Sequence, residues 1–482
     1  MPVHLSRVWI WKTQKNELMR GVYSTSVYRK SPVGLQNAFL CLKGTCYSAY
    51  RRWWAFEEHQ RQVRSNEFLS KGELEVIQLA TLRQSLASAG KFVPYYNRLF
   101  KEIDFDPNRM ERIEDLSAIP FLDKQMILSQ PEEFVATNAN KLLTRSGWTS
   151  GSTGKKLLMK MDRAVSVWEG AFADRQYRWA GASSGSRMAI VRGDLIVPAD
   201  VNSSPYWRYD AFNKQMWFSS YHISDATILD YAEALREFDP EIIYAYPSSI
   251  VNICQLLESR GISLHFKSLK GVVTSSEMLL EGQRNLIQRC LGVRVFDWYG
   301  HLERTIFIGT CEEGSYHIFP DYGVTELIPA GVDDGGEAVF ELVGTGFINK
   351  VMPLVRYRTG DLVTLDSNGS CECGRHFPRV RTIKGRINDV VVTGSGRRVG
   401  MLEFAFDNEF VRTGQIIQES FRHLTVLIVP EPGCSEQARA TVVKDLRERV
   451  GDDMELDVRL VEAIPRDSSG KSRMVISRLA QG

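Results

Sequence analysis

The sequence predicts an α/β protein with a large domain built on sheets and a small carboxy-terminal α+β domain. Helix-like stretches at 225–238 and 249–260 alternate with short β-rich runs such as 188–191 and 242–246. This alternation is typical of a sheet covered by helices. At 482 residues the chain is too long for one ordinary core, so we expect more than one domain.

We expect three segments along the chain. Residues 1–72 form a helical extension, and its first 64 residues hold eleven Lys or Arg against three Asp or Glu, together with several aromatic residues. We interpret these aromatics as core residues, and the alternative is a docking face for an acidic membrane surface or partner. Residues 73–387 form the large domain. Residues 388–482 form the small domain, with strands at 416–420 and 424–429 and a helix at 435–450.

The composition indicates a soluble globular protein, with 43% hydrophobic and 24% charged residues. A net charge of +2 gives no reason to expect nucleic acid as a partner. The sequence shows neither an apolar run long enough to span a membrane nor a signal peptide. We therefore expect a cytoplasmic protein, whose eight cysteines are free thiols or metal ligands.

The most informative segment is 149–156, with the sequence TSGSTGKK. A β-type run is expected to end near Thr144 and to resume at Leu157. Glycines let a backbone approach a polyphosphate closely, and hydroxyls and N–H groups donate to its oxygens. The spacing differs from a Walker A loop. Without further context, a flexible hairpin turn is an equally good interpretation.

Five more segments follow in a set order. They are 273–277 (VTSSE), 297–303 (DWYGHLE), 357–361 (YRTGD), 384–389 (KGRIND) and 465–471 (PRDSSGK). Together with 149–156 they resemble the motifs of the adenylate-forming superfamily of acyl-CoA synthetases, luciferases and peptide-synthetase adenylation domains. More narrowly they resemble the phenylacetate-CoA ligase branch and its CapK-like members.

The resemblance implies that ATP activates a carboxylic acid as an acyl adenylate in the large domain, after which the small domain rotates. Lys471 and Glu303 are then catalytic, and Glu303 binds the Mg²⁺ of ATP. Asn388 is the hinge. The implied nucleotide-binding residues are Thr149, Ser150, Gly151, Ser152, Thr153, Gly154, Lys155, Ser276, Glu277, Asp297, Trp298, Tyr299, Gly300, Asp361 and Arg386.

The acid pocket is implied by the segment 244–249 (YAYPSS), which resembles the family segment that lines the acyl pocket, with Trp148 opposite it. Its expected lining is aromatic and fits an aryl or short apolar acid, although such residues also build ordinary cores. The candidate pocket residues are Trp148, Tyr244, Tyr246, Pro247 and Ser248.

A second candidate site contains three cysteines and one histidine, namely Cys311, His317, Cys371 and Cys373. Three thiolates and an imidazole complete a closed tetrahedral zinc site. The C-x-C spacing is tighter than the usual C-x₂-C, so reduced cysteines without a metal are the alternative.

The sequence therefore predicts an AMP-forming ligase that requires ATP and Mg²⁺, with a structural Zn²⁺. Its acceptor is a thiol, of coenzyme A or of a carrier protein, or an amine. Two departures from the family pattern, Leu302 and Asn388, favour the alternative of a degenerate, nucleotide-binding scaffold in a polysaccharide or natural-product biosynthetic complex. The interpretation as a ligase leaves peripheral membrane contact open.

Overall fold

The computed structural model of the chain describes residues 23, 25–53, 55–149, 157–183, 185–198, 200–277, 279, 281–332, 338–366, 370–384, 391–394, 398–399, 402–406, 408, 410–430, 433–462, 464 and 475–479. They confirm the predicted class, a sheet-rich α/β body with a smaller carboxy-terminal α+β unit.

Helices dominate the first quarter of the described chain. They are α1 Ser26–Lys30, α2 Val33–Trp53, α3 Phe56–Ser65, α4 Lys71–Phe92, α5 Pro94–Glu102 and α6 Lys124–Ser129. A capping box starts α4, because Ser70 and Glu73 satisfy each other's backbone N–H groups. Pro94 occupies the first turn of α5, where its missing N–H costs nothing, and α4 ends two residues before it.

The amino-terminal helices pack on the large body. Tyr28 is 1% exposed, and its hydroxyl donates to the backbone carbonyl of Ile196 at 2.7 Å. Tyr28 is therefore a core residue, whereas Tyr47 of α2 is 43% exposed and Leu35 and Leu42 are exposed as well. The interpretation of the aromatics as core residues stays a prediction. Among the described residues, no helix combines the length and the apolar composition needed to cross a bilayer.

A two-stranded antiparallel ribbon precedes the main sheet and consists of β1 Arg145–Trp148 and β2 Leu158–Met161. The prediction that a strand ends near Thr144 is wrong. The Asn140 carbonyl accepts from the backbone N–H of Leu143 and of Thr144. The chain therefore turns there, and extended structure begins only at Arg145.

A twelve-stranded sheet forms the body of the molecule. Its strands are β3 Met188–Arg192, β4 Trp207–Asp210, β5 Gln215–Ser219, β6 Ile242–Ala245, β7 Gly271–Ser275, β8 Arg294–Gly300, β9 Phe307–Thr310, β10 Tyr316–Ile318, β11 Gly323–Val332, β12 Ala338–Gly346, β13 Tyr357–Leu365 and β14 Arg379–Lys384. The strand order is β11-β12-β13-β14-β10-β9-β8-β7-β6-β3-β5-β4.

The central part of this sheet is parallel, from β8 through β7, β6 and β3 to β5. Four further helices accompany it, namely α7 Arg163–Trp179, α8 Ile228–Phe238, α9 Pro247–Ser259 and α10 Glu281–Leu291. The carboxyl ends of parallel strands meet at one edge, where α/β proteins bind their ligands. That edge carries most of the described candidate site residues.

The carboxy-terminal unit contains a four-stranded sheet in the order β19-β18-β17-β20. Its elements are the ribbon of β15 Val391–Val392 and β16 Arg398–Val399, followed by β17 Val411–Ser420, β18 His423–Pro430, α11 Ser435–Val450, β19 Glu455–Leu460 and β20 Val475–Ser477. Buried aliphatic residues of α11 and the sheet form a separate core. Arg449 of α11 donates to the Tyr221 hydroxyl of the large body at 2.9 Å.

Candidate active site

Tyr299 and Asp361 meet at the carboxyl edge of the sheet, although 62 positions separate them in the chain. The Tyr299 hydroxyl donates to a carboxylate oxygen of Asp361 at 2.7 Å. Gly360, with φ at +74°, allows the backbone conformation just before this aspartate. The Asp361 N–H donates to the Thr359 hydroxyl at 3.1 Å, which anchors the segment on β13.

Glu303 lies in the loop that follows β8 and is held as an ionised acid. Its oxygens accept from the Tyr357 hydroxyl at 3.1 Å and from His301 Nδ1 at 3.2 Å. Burial by itself raises the pKa of Glu303. The hydrogen bond and charge of His301, with help from Tyr357, outweigh burial and lower the pKa to about 2. An ionised carboxylate here suits a hard cation such as Mg²⁺.

The chain turns sharply after Glu303, because Arg304 has a left-handed backbone with φ at +59°. Such a conformation is strained for a side chain with a Cβ and needs support from its surroundings. Glu169 of α7 supplies it, since its carboxylate binds the Arg304 guanidinium and also accepts from the Tyr322 hydroxyl at 2.7 Å. This buried network fixes the direction in which Glu303 leaves the sheet.

The base of the predicted phosphate loop is described at its two ends. Thr149 is buried, and both its backbone N–H and its hydroxyl pair with Leu157, at 2.9 Å each. A Cβ placed on Gly147 of β1 would lie 3.5 Å from Leu302, so the ribbon passes directly beside the loop that carries Glu303. Leu302 itself packs against an apolar cluster.

Asp297 and Trp298, two predicted nucleotide-binding residues, are occupied by contacts within the protein. The two carboxylate oxygens of Asp297 accept from the hydroxyls of Thr274 at 2.7 Å and Tyr316 at 2.8 Å. Burial raises the pKa of Asp297 despite these hydrogen bonds. The indole of Trp298 stacks on Phe307 with ring centroids 4.6 Å apart. Alternation along a strand directs it to the face opposite Tyr299.

Polar and aromatic groups meet where β3, β6 and β7 end. The Tyr244 hydroxyl is 3.1 Å from that of Ser275, and Arg192 donates to Ser275 at 3.1 Å and to Ser276 at 2.9 Å. The Arg192 guanidinium also lies 4.4 Å from the ring centroids of both Tyr244 and Tyr246. The pocket wall that was expected to be aromatic therefore also holds a cation.

The remaining candidates near this edge differ in exposure. Ser276 is exposed and has φ at +72°, Glu277 is half-buried, and Gly300 ends β8 in an exposed position. Pro247 is buried at the start of α9, and nothing is described of the Ser248 side chain. Trp148 stands on the β1–β2 ribbon with 50% of its surface exposed.

Several predicted residues lie outside the described part of the chain. They are Ser150, Gly151, Ser152, Thr153, Gly154 and Lys155 of the loop, Arg386 and Asn388 of the hinge, and Lys471. Their roles stay predictions.

The four predicted metal ligands come together in space. The ligand atoms of Cys311, His317, Cys371 and Cys373 all lie within 4.8 Å of one another. The sulfurs of Cys311 and Cys371 are 3.7 Å apart, and Cys373 Sγ is 3.4 Å from His317 Nε2. Zn–S bonds of about 2.3 Å in a tetrahedron place two sulfurs about 3.8 Å apart, so the thiols fit a zinc ion.

The orientation of His317 also fits a metal ligand. Its Nδ1 faces the Phe377 carbonyl at 3.4 Å, so Nδ1–H is the donor there and Nε2 points towards Cys373. A backbone carbonyl on the second ring nitrogen is the usual support for a ligating histidine. Burial lowers the pKa of His317 to about 4, which keeps the imidazole neutral.

Sequence reasoning missed three residues of the site. Tyr357 and His301 lie inside recognised motifs and hold Glu303, but only the fold shows that they contact it. Arg192 had a weaker signal, as a charged residue at the end of a predicted parallel strand. Its partners lie more than 50 positions away, and no local pattern points to them.

Comparison with known proteins assigns relatives to the chain. Residues 393–478 match the CapK C-terminal domain family. Protein CapK of Staphylococcus aureus is 23% identical over 458 residues, which cover 94% of this chain and 99% of that protein. A phenylacetate-coenzyme A ligase of Thermus thermophilus is 28% identical over 343 residues, which cover 68% of this chain and 73% of the relative.

Solved structures show the same fold. A crystal structure of 2-hydroxyisobutyryl-CoA ligase, in complex with 2-HIB-AMP and CoA in the thioesterification state, matches with a TM-score of 0.55 and 19% identity. The match covers 86% of this chain and 91% of that one. The same ligase in the postadenylation state, in complex with R3-HIB-AMP, matches with a TM-score of 0.52 at 19% identity.

Proposed function

We propose that this chain, which belongs to the CapK and phenylacetate-CoA ligase branch of the adenylate-forming proteins, uses ATP to activate a carboxylic acid as an acyl adenylate. The observation that carries the proposal is the convergence of Tyr299, Asp361 and Glu303 at the carboxyl edge of the sheet. An aromatic ring, an acceptor for two vicinal hydroxyls and an ionised acid are what adenosine, ribose and a metal-bound triphosphate require.

Each residue has a distinct task in this reaction. The Tyr299 ring packs on the adenine, and Asp361 accepts from the ribose hydroxyls, a position for which the Tyr299 hydroxyl already orients it. Glu303, whose low pKa keeps it ionised, holds the Mg²⁺ that accompanies ATP. When bound, Mg²⁺ neutralises phosphate charge.

The chemical step is the attack of a substrate carboxylate oxygen on the α-phosphorus, with pyrophosphate leaving with the bonding electrons. In our proposal the 150–155 loop holds the phosphates, and Arg386 contacts the ribose. Lys471 neutralises the charge that builds on the α-phosphate. The small domain then rotates about Asn388, and a thiol of coenzyme A or a carrier protein, or an amine, attacks the acyl carbon. AMP leaves with the bonding electrons, and the acceptor loses its proton. The coenzyme A ligases among the relatives favour the thiol.

Acid-dependent exchange of pyrophosphate into ATP tests the first half-reaction. We expect exchange with one class among aryl, fatty, amino and hydroxy acids. Lys471→Ala is expected to reduce it at least about 100-fold, because an electrostatic contact to the transition state is lost. Lys444→Ala is the matched control, since Lys444 is exposed on the surface of α11.

Two outcomes contradict the proposal. Equal rates of exchange in Lys471→Ala and Lys444→Ala would show that Lys471 has no role in the reaction. Binding of ATP without exchange for any acid favours the nucleotide-binding scaffold, the alternative suggested by Leu302 and Asn388. Leu302 supports that alternative only weakly, because an apolar side chain beside Gly147 also has a packing role.

We further propose that Cys311, His317, Cys371 and Cys373 hold a structural Zn²⁺. The cluster joins the segment after β9, strand β10 and the turn before β14. A metal there ties these segments together, and four protein ligands leave no open position for catalysis. The support is the fit of the sulfur and nitrogen separations to a tetrahedral ion.

Metal analysis of protein purified without a chelator tests this assignment. We expect close to one equivalent of zinc, its loss in Cys371→Ser, and its retention in Cys46→Ser, which removes an exposed cysteine elsewhere. Chelation is expected to lower the unfolding temperature of the unmodified protein and of Cys46→Ser alike. Unmodified protein without zinc overturns the assignment.

A further inference from the structure

Arg192 places a positive charge in the wall of the candidate acid pocket. It is the last residue of β3, and its side chain extends across the end of β6 to the hydroxyls of Ser275, which ends β7, and of Ser276, which follows it. The next strand, β8, carries Tyr299. The guanidinium therefore lies one strand away from the strand that carries Tyr299.

The surroundings of this guanidinium hold it in one place. The rings of Tyr244 and Tyr246 lie 4.4 Å from it, at a separation that allows cation–π attraction. Two serine hydroxyls fix its orientation. Holding a rotamer-rich side chain so firmly removes an entropy cost that a ligand would otherwise meet on binding.

Within the described part of the chain, no acid contacts the Arg192 guanidinium directly. Among the described residues, no carboxylate oxygen lies within 4.0 Å of a guanidinium nitrogen of Arg192. Asp194 acts on it only at longer range. The serines account for two of its five N–H donors, and the neutral Tyr246 hydroxyl also accepts from it. A partly buried cation whose partners are neutral is costly unless something anionic joins it.

We propose that the acid activated by this protein carries a second anionic group, a carboxylate in the simplest case, and that Arg192 binds it. The inference deepens the proposed function and depends on it, since the first carboxylate must react with ATP while the second contacts Arg192. A planar guanidinium binds a carboxylate through two parallel hydrogen bonds, which gives direction as well as affinity. Arg192 is in this role a specificity residue.

Pyrophosphate exchange with matched acid pairs tests the inference. The pairs are succinate with butyrate, glutarate with valerate, adipate with hexanoate, and terephthalate with 4-methylbenzoate, each differing mainly in the second carboxylate. We expect kcat/KM to favour the diacid of at least one pair by about tenfold or more. In Arg192→Met the preference is expected to disappear or reverse, and in Arg192→Lys to keep its direction at a smaller size.

The matched control is Arg294→Met. Arg294 begins β8, at the opposite end of the strands, and its side chain is 61% exposed. The Arg294→Met substitution removes the same kind of charge far from the pocket. The preference between paired acids should therefore stay as in the unmodified protein. Thermal unfolding of all three variants shows whether any loss reflects folding.

The outcomes separate this inference from the proposed function. Exchange that favours the diacid of no pair in the unmodified protein, or a diacid preference that Arg192→Met leaves unchanged, overturns the inference and supports the ligase. An equal loss for every acid in Arg192→Met, with an unchanged unfolding temperature, also overturns it, because Arg192 then only braces the 275–276 segment. Absence of exchange for every acid in the unmodified protein contradicts the proposed function itself.

Discussion

Strand β8 carries one buried acid, Asp297, and the loop that follows it carries another, Glu303. Their surroundings shift the pKa of the two carboxyl groups in opposite directions. Asp297 is enclosed by the hydroxyls of Thr274 and Tyr316, and burial raises its pKa. For Glu303, six positions later, burial acts in the same direction, but His301 outweighs it and lowers the pKa to about 2.

This difference separates a structural acid from one available to a ligand. The hydroxyls around Asp297 join β7, β8 and β10 across the sheet. Glu303 has one hydroxyl and one imidazole nitrogen as partners and lies beyond the end of β8, where ligands of parallel sheets bind. Membership of the same segment, 297–303, therefore does not decide which acid meets the nucleotide.

The largest expected effect belongs to Glu303→Gln. The amide is nearly the same size but lacks the charge that attracts Mg²⁺. We expect acid-dependent exchange to fall about 100- to 1,000-fold. The Mg²⁺ concentration needed for half-maximal rate should also rise. Exchange kinetics over a Mg²⁺ titration measure both quantities.

The matched control for that variant is Glu313→Gln, in the turn between β9 and β10. Its carboxylate is partly exposed, 3.9 Å from Arg294. Rates and Mg²⁺ dependence should match those of the unmodified protein. If Glu303→Gln shows the same rates and Mg²⁺ dependence as this control, Glu303 does not bind the metal. The different surroundings of Asp297 and Glu303 would then not reflect different functions.

A smaller effect, on stability rather than on rate, is expected for Asp297→Asn. An amide has only one acceptor oxygen for the two hydroxyls that now donate to the carboxylate. Losing one good buried hydrogen bond costs about 1–2 kcal/mol of unfolding free energy. Thermal or denaturant unfolding measures the cost. A loss of exchange with unchanged stability would instead assign Asp297 to the nucleotide site.

The smallest effect is a pH dependence of opposite sign for the two acids. Glu303 has a folded pKa below its usual 4.5, so its stabilising contribution is present above that pH and is lost as the pH falls towards 2. Asp297 has a raised pKa, so its contribution is fully present below 3.8 and is lost as the pH rises through its folded pKa.

Unfolding temperatures of the two variants, followed from acidic to neutral pH, test these signs. Relative to the unmodified protein, Glu303→Gln should lose less stability on acidification between about pH 4.5 and 2. Asp297→Asn should lose more stability on acidification in the range above 3.8. Parallel curves for all three proteins would mean that neither acid changes its pKa on folding.

Much of the fold could be predicted because its signals are local. Pro94 and the Ser70–Glu73 capping box mark helix ends within a few residues. The helix predicted at 435–450 has these bounds in the structure. The start of β1 was misjudged because a turn of backbone hydrogen bonds around Asn140 leaves little trace in residue type.

The candidate site was only partly predictable. The recognised motifs led to Glu303, Tyr299 and Asp361, because glycines, aromatics and acids at fixed spacing are visible in one dimension. Arg192 escaped notice, since its significance comes from two tyrosines at the end of a neighbouring strand and two serines at the end of the next.

The sequence by itself determined the α/β class, the order of the six segments and the kinds of side chain available for chemistry. Only the tertiary structure decided that Tyr357 and His301 hold Glu303, that hydroxyls enclose Asp297, and that Arg192 faces the pocket without an ion pair among the described residues. The physical reason is that helix and strand formation depends on neighbours in the chain. Ionisation and ligand contacts depend on neighbours in space.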